Sequence, residues 1–330
     1  MSTAERHTLR GSPVVAAPGK VFLIGEYAVL EGAPAVVAAV NRLAVGQYIP
    51  GGEPASAFVA VAVEAALAGI GDRAEALPVG SVLVDSSAFS ADGRKLGLGS
   101  SAAVTAATVA AVLELAGLSV AANRDLCFSL AQGAHRTTQG GQGSGADVAA
   151  AVHGGLVRFR RPPGGYPVVD RMKTPPDLRI VVFAEGKASS TMDHLAAMKA
   201  FAERRPDEHA ALMRPLREHA ELFVESLATA SMRGMLSAAR GYAEGLGELG
   251  TRSGVPIFTP HFEIAADLAT NLGGVAKPSG AGGGDIGVAL FGTAEAAEIF
   301  SSRLSHIGLR LLDVAIEPNG VHRRLPSSTL

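Results

Sequence analysis

The stretch KLGLGSSAAV, Lys95–Val104, decides how this chain is read. Two glycines alternate with leucines, two serines follow, and then comes a run of small residues suited to a helix. Such a turn leaves backbone N–H groups uncovered, and a helix starting near Ser100 or Ser101 adds its own unsatisfied N–H groups and the positive end of its dipole. Together they make a seat for phosphate. The loop matches neither common nucleotide fingerprint. No lysine follows the glycines at the helix start, and Gly97 and Gly99 are followed by Ser and Ala rather than completing G-x-G-x-x-G.

Outward from the loop, the chain permits such a site. Its 330 residues are 48% hydrophobic and 18% charged, enough for a sizeable core and for two domains. A net charge of −2 gives no global attraction to nucleic acid or to an anionic membrane. The single cysteine, Cys127, excludes an internal disulfide and reads as buried filler beside Leu126 and Phe128. The segment MSTAERHTLRGSP is polar and lacks the apolar centre of a signal peptide, so a cytoplasmic location is expected. Alanine-rich runs such as Ala102–Leu115 stay short of a membrane span and read as core helices.

Val14–Ala17, Val21–Ile24 and Ala35–Val40 read as short strands, and Ser81–Val84 as the strand leading to the quoted loop. Helices are expected at about 101–117 and 122–134, with a shorter one at 147–153 between glycine breaks. Leu156–Arg160 reads as a strand whose Arg158, Arg160 and Arg161 form the solvated end of a sheet edge before Pro162. Arg160–Asp177 is the most turn-rich stretch, and a division into 1–172 and 173–330 is placed within it. Beyond it come a strand at Leu178–Ala184 and helices at about 191–204, 206–246 (broken) and 261–272. A helix–strand pair follows at 294–304 and 308–316. Strands and helices mix without a regular βαβ beat, so the class is α+β.

Two further segments are rich in glycine. APGKVFLIGEYAVLEGAPAVVAAV, Ala17–Val40, carries Lys20 at a strand start and Glu26 and Tyr27 on the turn leaving it; by itself a lysine there is a solvated strand end. KPSGAGGGD, Lys277–Asp285, crowds glycines that are costly unless the backbone turns tightly or approaches another backbone or a ligand.

In this order and at these separations, the three segments resemble the three motifs of the GHMP kinase family, over Ala17–Leu290. Within it, GSGADVAAAVHGG (Gly143–Gly155), KPSGAGGGD and SSTMDHLAAMKAF (Ser189–Phe201) look like the phosphomevalonate kinase branch; mevalonate kinases usually carry another glycine at Asp285. The resemblance implies an N-terminal domain similar to ribosomal protein S5 domain 2, a ferredoxin-like C-terminal domain, and a site between them. It implies phosphoryl transfer from ATP with Mg²⁺ to phosphomevalonate, with no nucleic-acid or membrane partner and a homodimer permitted.

Phosphoryl transfer demands positioning and charge neutralisation. On the family's pattern Lys95, Gly97, Leu98, Gly99, Ser100, Ser101 and Ala102 hold ATP, and Ser101 ligates Mg²⁺, a hard cation suited to oxygen. Without the resemblance the two serines read equally as an N-cap pair. Lys20 and Asp147 take the catalytic positions: Asp147 aligns or deprotonates the attacking group, and Lys20 meets the transferring phosphoryl oxygens. Taken alone, Asp147 is a helix N-cap. The acceptor side would draw on Lys20, Glu26, Tyr27, Arg136, Ser144, Gly145, Ser189, Ser190, Ala281, Gly282 and Gly283, with Lys187 and Thr191 nearby. Mevalonate kinases place a glutamate eleven residues before the aspartate, where this chain has Arg136. That added positive charge fits an acceptor already bearing phosphate, although His135 and Arg136 also read as a solvated helix end. Two alternatives stay open: another small alcohol such as mevalonate on the same scaffold, and a nucleotide-binding regulator that has lost catalysis.

Overall fold

The computed structural model describes residues 12–91, 93–186 and 191–324. Strand β1 runs unbroken over Val14–Ile24, where two separate runs were expected. Between the two runs, at Pro18/Gly19, the strand shifts register against its neighbour β2 (Ala35–Pro50). Pro18 has no N–H to give the ladder, and the irregularity absorbs that loss without ending the strand. The Lys20 N–H points away from β2 and donates to the Leu98 carbonyl at 2.8 Å.

β2 is long enough to serve several neighbours. It pairs antiparallel with β1, with β3 (Gly80–Asp85) at one end and with β6 (Leu156–Arg160) at the other. β7 (Val168–Met172) extends the sheet beyond β6. This corrects two readings. The turn-rich stretch contains a strand, and β6 lies inside the sheet, with Arg158 bound to Asp170 at 2.5 Å and Arg160 donating to the Gly32 carbonyl at 2.9 Å. A small hairpin, β4 (Ser90–Ala91) and β5 (Arg94–Lys95), leads into the quoted loop.

Of the next four helices, α1 (Ala57–Gly69), α2 (Ser100–Leu115), α3 (Arg124–Thr138) and α4 (Ala146–His153), α1, α2 and α4 pack on this sheet and α3 packs on those three. α2 is buried on almost every face because it packs between the sheet and other helices; Ala103, Ala106, Ala107 and Ala110 are fully covered. Alanine is favoured there for two reasons: it is the strongest helix former, and its small side chain lets elements approach closely.

A second sheet, ordered β11–β8–β10–β9, is formed by β8 (Arg179–Ala184), β9 (Val275–Pro278), β10 (Ile286–Phe291) and β11 (Arg310–Leu312). Phe183 and Phe291 of that sheet meet Phe300, and Phe183 also meets Phe262, in edge-on or tilted contacts 5.2–5.7 Å apart. Between β8 and β9 come α5 (Thr191–Arg204), α6 (Pro206–Ala228), α7 (Met232–Ser253) and α8 (Pro260–Asn271); α9 (Ala294–Arg303) follows β10. The helix expected to be broken is α6 and α7, interrupted at Thr229–Ser231, with Ala230 at φ 53°.

β7 ends at Met172, and the chain later crosses back. β12 (His322–Arg323) pairs with β1, and Ala315 and Glu317 bond to Asn41 and Ala39 of the β2 region. One continuous apolar core contains Val15, Val109, Leu249 and Val288. Among the described residues no helix is long and apolar enough to cross a membrane.

Candidate active site

The quoted loop has the geometry that makes backbone donors available. Gly97 (φ 69°) and Gly99 (φ 77°) sit in left-handed backbone, and Gly99 itself caps α2 with no side-chain hydrogen bond. The two serines are therefore not an N-cap pair, and Ser100 and Ser101 are the first residues of the helix. With no capping side chain, first-turn N–H groups are left for a ligand. Neither glycine tolerates a side chain, since a Cβ at Gly97 would strike the Asp285 carboxylate and one at Gly99 would strike the Lys20 stem.

Asp147 follows the same logic. α4 is capped by Gly145 (φ 91°) without a side-chain bond, while Asp147 lies inside the first turn and accepts from the Val148 N–H at 3.0 Å. Its other oxygen lies 3.9 Å from Nε2 of His135, and that same nitrogen is 3.1 Å from the Ser101 hydroxyl. His135 is 2% exposed. Expected as part of a solvated helix end, it instead lies inside, against the Phe58 ring. Helical spacing could have found it: Phe128, Ala131 and His135 follow the i, i+3, i+7 beat of one buried face.

Lys20 extends from β1 over the Phe22 ring, with Nζ 3.5 Å from the Gly97 carbonyl. Its neighbour Asp285 is shared between both glycine loops. Burial raises the Asp285 carboxyl above the usual range, while the Lys20 charge opposes that rise.

The third loop is fastened to β1 and its exit. Ser279 Oγ accepts from the Phe22 N–H at 2.8 Å and donates to the Phe22 carbonyl at 3.0 Å. Lys277 is buried and bound to Glu26; burial lowers its amine from the ordinary range and the Glu26 carboxylate opposes the shift. Tyr242 Oη donates to the Glu26 carbonyl at 2.5 Å, and Tyr27 Oη donates to the Ala281 carbonyl at 2.6 Å. Burial, then Glu26, raises the Tyr27 phenol above its usual value, so it remains a donor. The backbone of Tyr27 is strained, with φ 59° and ψ −55°, and the Ala28 N–H reaches the Glu26 carbonyl at 2.6 Å across it. That is a γ-turn of positive φ, a costly form held here by the bonds on either side.

These elements enclose a cleft of about 570 Å³. Lys20, Glu26, Tyr27, Lys95, Gly97, Leu98, Gly99, Ser100, Ser101, Ser144, Asp147, Thr191 and Ala281 line it, together with Asp285. Gln139 also lines it, as do Phe58, Met192 and Leu195, none of which three the sequence reading assigned to the binding surface. Other expected residues stand away from it. Arg136 is exposed and donates to the Gly141 carbonyl at 3.0 Å, because a helix turns about 100° per residue and His135 holds the inward direction. Gly145 is covered by Gln132 and Gly282 abuts the Ile257 backbone; Gly283 donates to the Ile257 carbonyl at 3.2 Å. Ala102 is buried in the core, leaving only its backbone for binding. Lys187, Ser189 and Ser190 lie outside the described residues. A larger concavity of about 870 Å³ beyond Asp285 has neither Ser101 nor Asp147 on its walls, so size does not select the site.

Ser101 Oγ and the Asp147 carboxylate are hard oxygen donors that both line the cleft and both lie near His135 Nε2, and either could serve a divalent cation that takes further ligands from a nucleotide. Among the described residues no cluster of three or more His, Cys, Asp or Glu side chains could hold a metal unaided.

Residues 93–155 match the model of the GHMP kinases N terminal domain. The chain is 29% identical to a phosphomevalonate kinase from Streptomyces sp. (strain CL190), over 88% of this chain and 91% of that one. A Lin0012 protein from Listeria innocua is similar in structure at a TM-score of 0.85 and 25% identity, over 96% of this chain and 100% of that one. The phosphomevalonate kinase of Streptococcus pneumoniae, solved in complex with phosphomevalonate and AMPPNP, superposes at a TM-score of 0.77 and 22% identity, over 92% of this chain and 99% of that one. The motif segment, the fold and an assembled cleft agree: residues 93–155 match the GHMP kinases N terminal domain, the chain has the GHMP kinase fold, and it is a phosphotransferase.

Proposed function

We propose that the chain transfers the γ-phosphoryl group of ATP to (R)-5-phosphomevalonate, forming (R)-5-diphosphomevalonate and ADP in isoprenoid-precursor synthesis. The observation that carries this is the convergence of Lys20, Lys95, Ser101, Asp147 and Asp285 on one cleft. The names of the Streptomyces and Streptococcus relatives supply the choice of acceptor. A phosphate oxygen of the acceptor attacks the γ-phosphorus, the bond to the β–γ bridging oxygen breaks, and ADP departs with that electron pair. The transition state is loose, so the protein's task is alignment and charge stabilisation. Donors of the Gly97–Ser101 turn hold the nucleotide phosphates, Lys20 meets the transferring oxygens, and Asp147 aligns the attacking group. Ser101 Oγ would hold Mg²⁺, which would supply charge neutralisation along the phosphates. The nucleotide side thus belongs to residues 1–172, and the acceptor's walls are shared with 173–330.

The test is ADP release with MgATP and, separately, phosphomevalonate, mevalonate, homoserine and galactose. Selective turnover of phosphomevalonate is expected. Turnover of mevalonate alone would overturn the acceptor; absence of turnover with nucleotide still bound would overturn the catalytic assignment.

A further inference from the structure

A serine that ligates a cation must turn an oxygen lone pair toward it and send its own proton elsewhere. At Ser101 that other direction is defined: His135 Nε2 lies 3.1 Å from Oγ, within hydrogen-bond distance. The Asp147 carboxylate, 3.9 Å from the same nitrogen, lies beyond it. The imidazole is held firmly for such a role. It is 2% exposed, projects from the inward face of α3, and packs on Phe58 of α1 at 5.5 Å between ring centroids. Nor does the neighbouring position compete, since Arg136 is turned to solvent on Gly141.

We propose that His135 is a positioning residue: with Nε2 as acceptor it takes the hydrogen bond of the Ser101 hydroxyl and turns an Oγ lone pair into the cleft, toward a divalent cation on the nucleotide phosphates. The proposal rests on Ser101 being the cation's ligand, as assigned above. A carboxylate in this place would add a ligand of its own; an imidazole acceptor instead orients the ligand already present. The protein thereby sets its cation affinity through an outer partner, and such partners change metal affinity by roughly 10–100-fold when removed.

The test measures AMPPNP binding calorimetrically, in saturating Mg²⁺ and in EDTA, for the full chain and for S101A, H135F, H135N, H135Q and the S101A/H135F pair. The readout is the factor by which Mg²⁺ tightens binding. Expected are a loss of about tenfold in that factor for S101A, H135F and H135N, with affinity in EDTA unchanged in the His135 variants, and retention of the factor in H135Q, whose Oε1 can accept in place of Nε2. The double variant should be no worse than S101A alone, because the two residues act through one ligand. H135N carries the test should H135F not fold. If S101A reduces the factor while the His135 variants do not, or if the losses add, the positioning role is overturned and the ligand assignment stands. If S101A leaves the factor unchanged, the ligand assignment itself falls and this inference with it.

Discussion

The two glycine loops facing the cleft use the same residue for opposite ends. At Gly97–Gly99 the glycines bend the chain into a helix whose first N–H groups carry no cap, so the loop presents donors. At Gly280–Gly284 the glycines let backbones touch: a Cβ on Gly282 would collide with Ile257, and one on Gly284 would crowd Glu185. The first loop keeps hydrogen-bonding capacity open for a ligand. The third uses its capacity within the protein, through Ser279 to Phe22, Lys277 to Glu26, and Ala281 to Tyr27. Glycine richness therefore marks close approach, and only the surrounding bonds say what is approached.

The contrast predicts that damage around the first loop appears in turnover and damage around the third in stability. Asp147→Asn and Lys20→Met should lower kcat by roughly 10²–10⁴-fold while the unfolding midpoint and AMPPNP binding hold. Steady-state kinetics with calorimetric binding checks this, and normal turnover in either variant would remove that residue from the mechanism. Glu26→Ala leaves the Lys277 ammonium buried without its partner and should cost about 3–5 kcal/mol in urea unfolding. A loss below about 1 kcal/mol would show that the third loop is not locked as described.

Alanine at the glycines sharpens the comparison. Gly97→Ala meets both a positive φ of 69° and the Asp285 carboxylate, and should weaken nucleotide binding more than it lowers stability. Gly282→Ala, at φ 86° against a rigid backbone, should do the reverse, by about 1–3 kcal/mol in unfolding. Equal profiles for the two variants would erase the distinction. The smallest effect concerns neither loop. Burial, reinforced by Arg124, pushes the His153 imidazole down to about 4 from 6.5. The unfolded chain takes up this proton below about pH 6.5 and the folded chain only below about pH 4, so the stability present above 6.5 is lost as pH falls through that window. The melting temperature should decline from pH 7 to pH 5, and His153→Gln should flatten that slope.

The motifs are legible because their chemistry is local. Left-handed turns need glycine, and phosphate seats need uncapped helix starts, so Lys95–Val104 and Lys277–Asp285 stand out in the text alone. β6 is legible to the residue, since Leu156–Arg160 is bounded by glycines and prolines. α1 leaves no such sign: AFVAVAVEAALAG is apolar on nearly every side, and a helix without a polar face has no periodicity to detect. β7 is hidden in turn residues, and only its pairing with β6 makes it a strand. At the site, the failure is one of angle. Counting back from Asp147 in a linear motif selects Arg136, whereas the buried face of α3 selects His135. Adjacent residues on a helix share a position in the text and not a direction in space.

The return of β12 to β1 fixes the order in which this molecule can be completed. A ribosome that has made the first 172 residues has not finished the first sheet, because Val15 and Ala16, just ahead of Lys20, still lack their neighbours Arg323 and His322. Until those arrive, that stretch of β1 has an open edge, a template for pairing with other chains. The contact is among the longest in sequence that the fold contains, and contacts of this kind slow folding. An edge of β1 is thus closed only by a strand made much later.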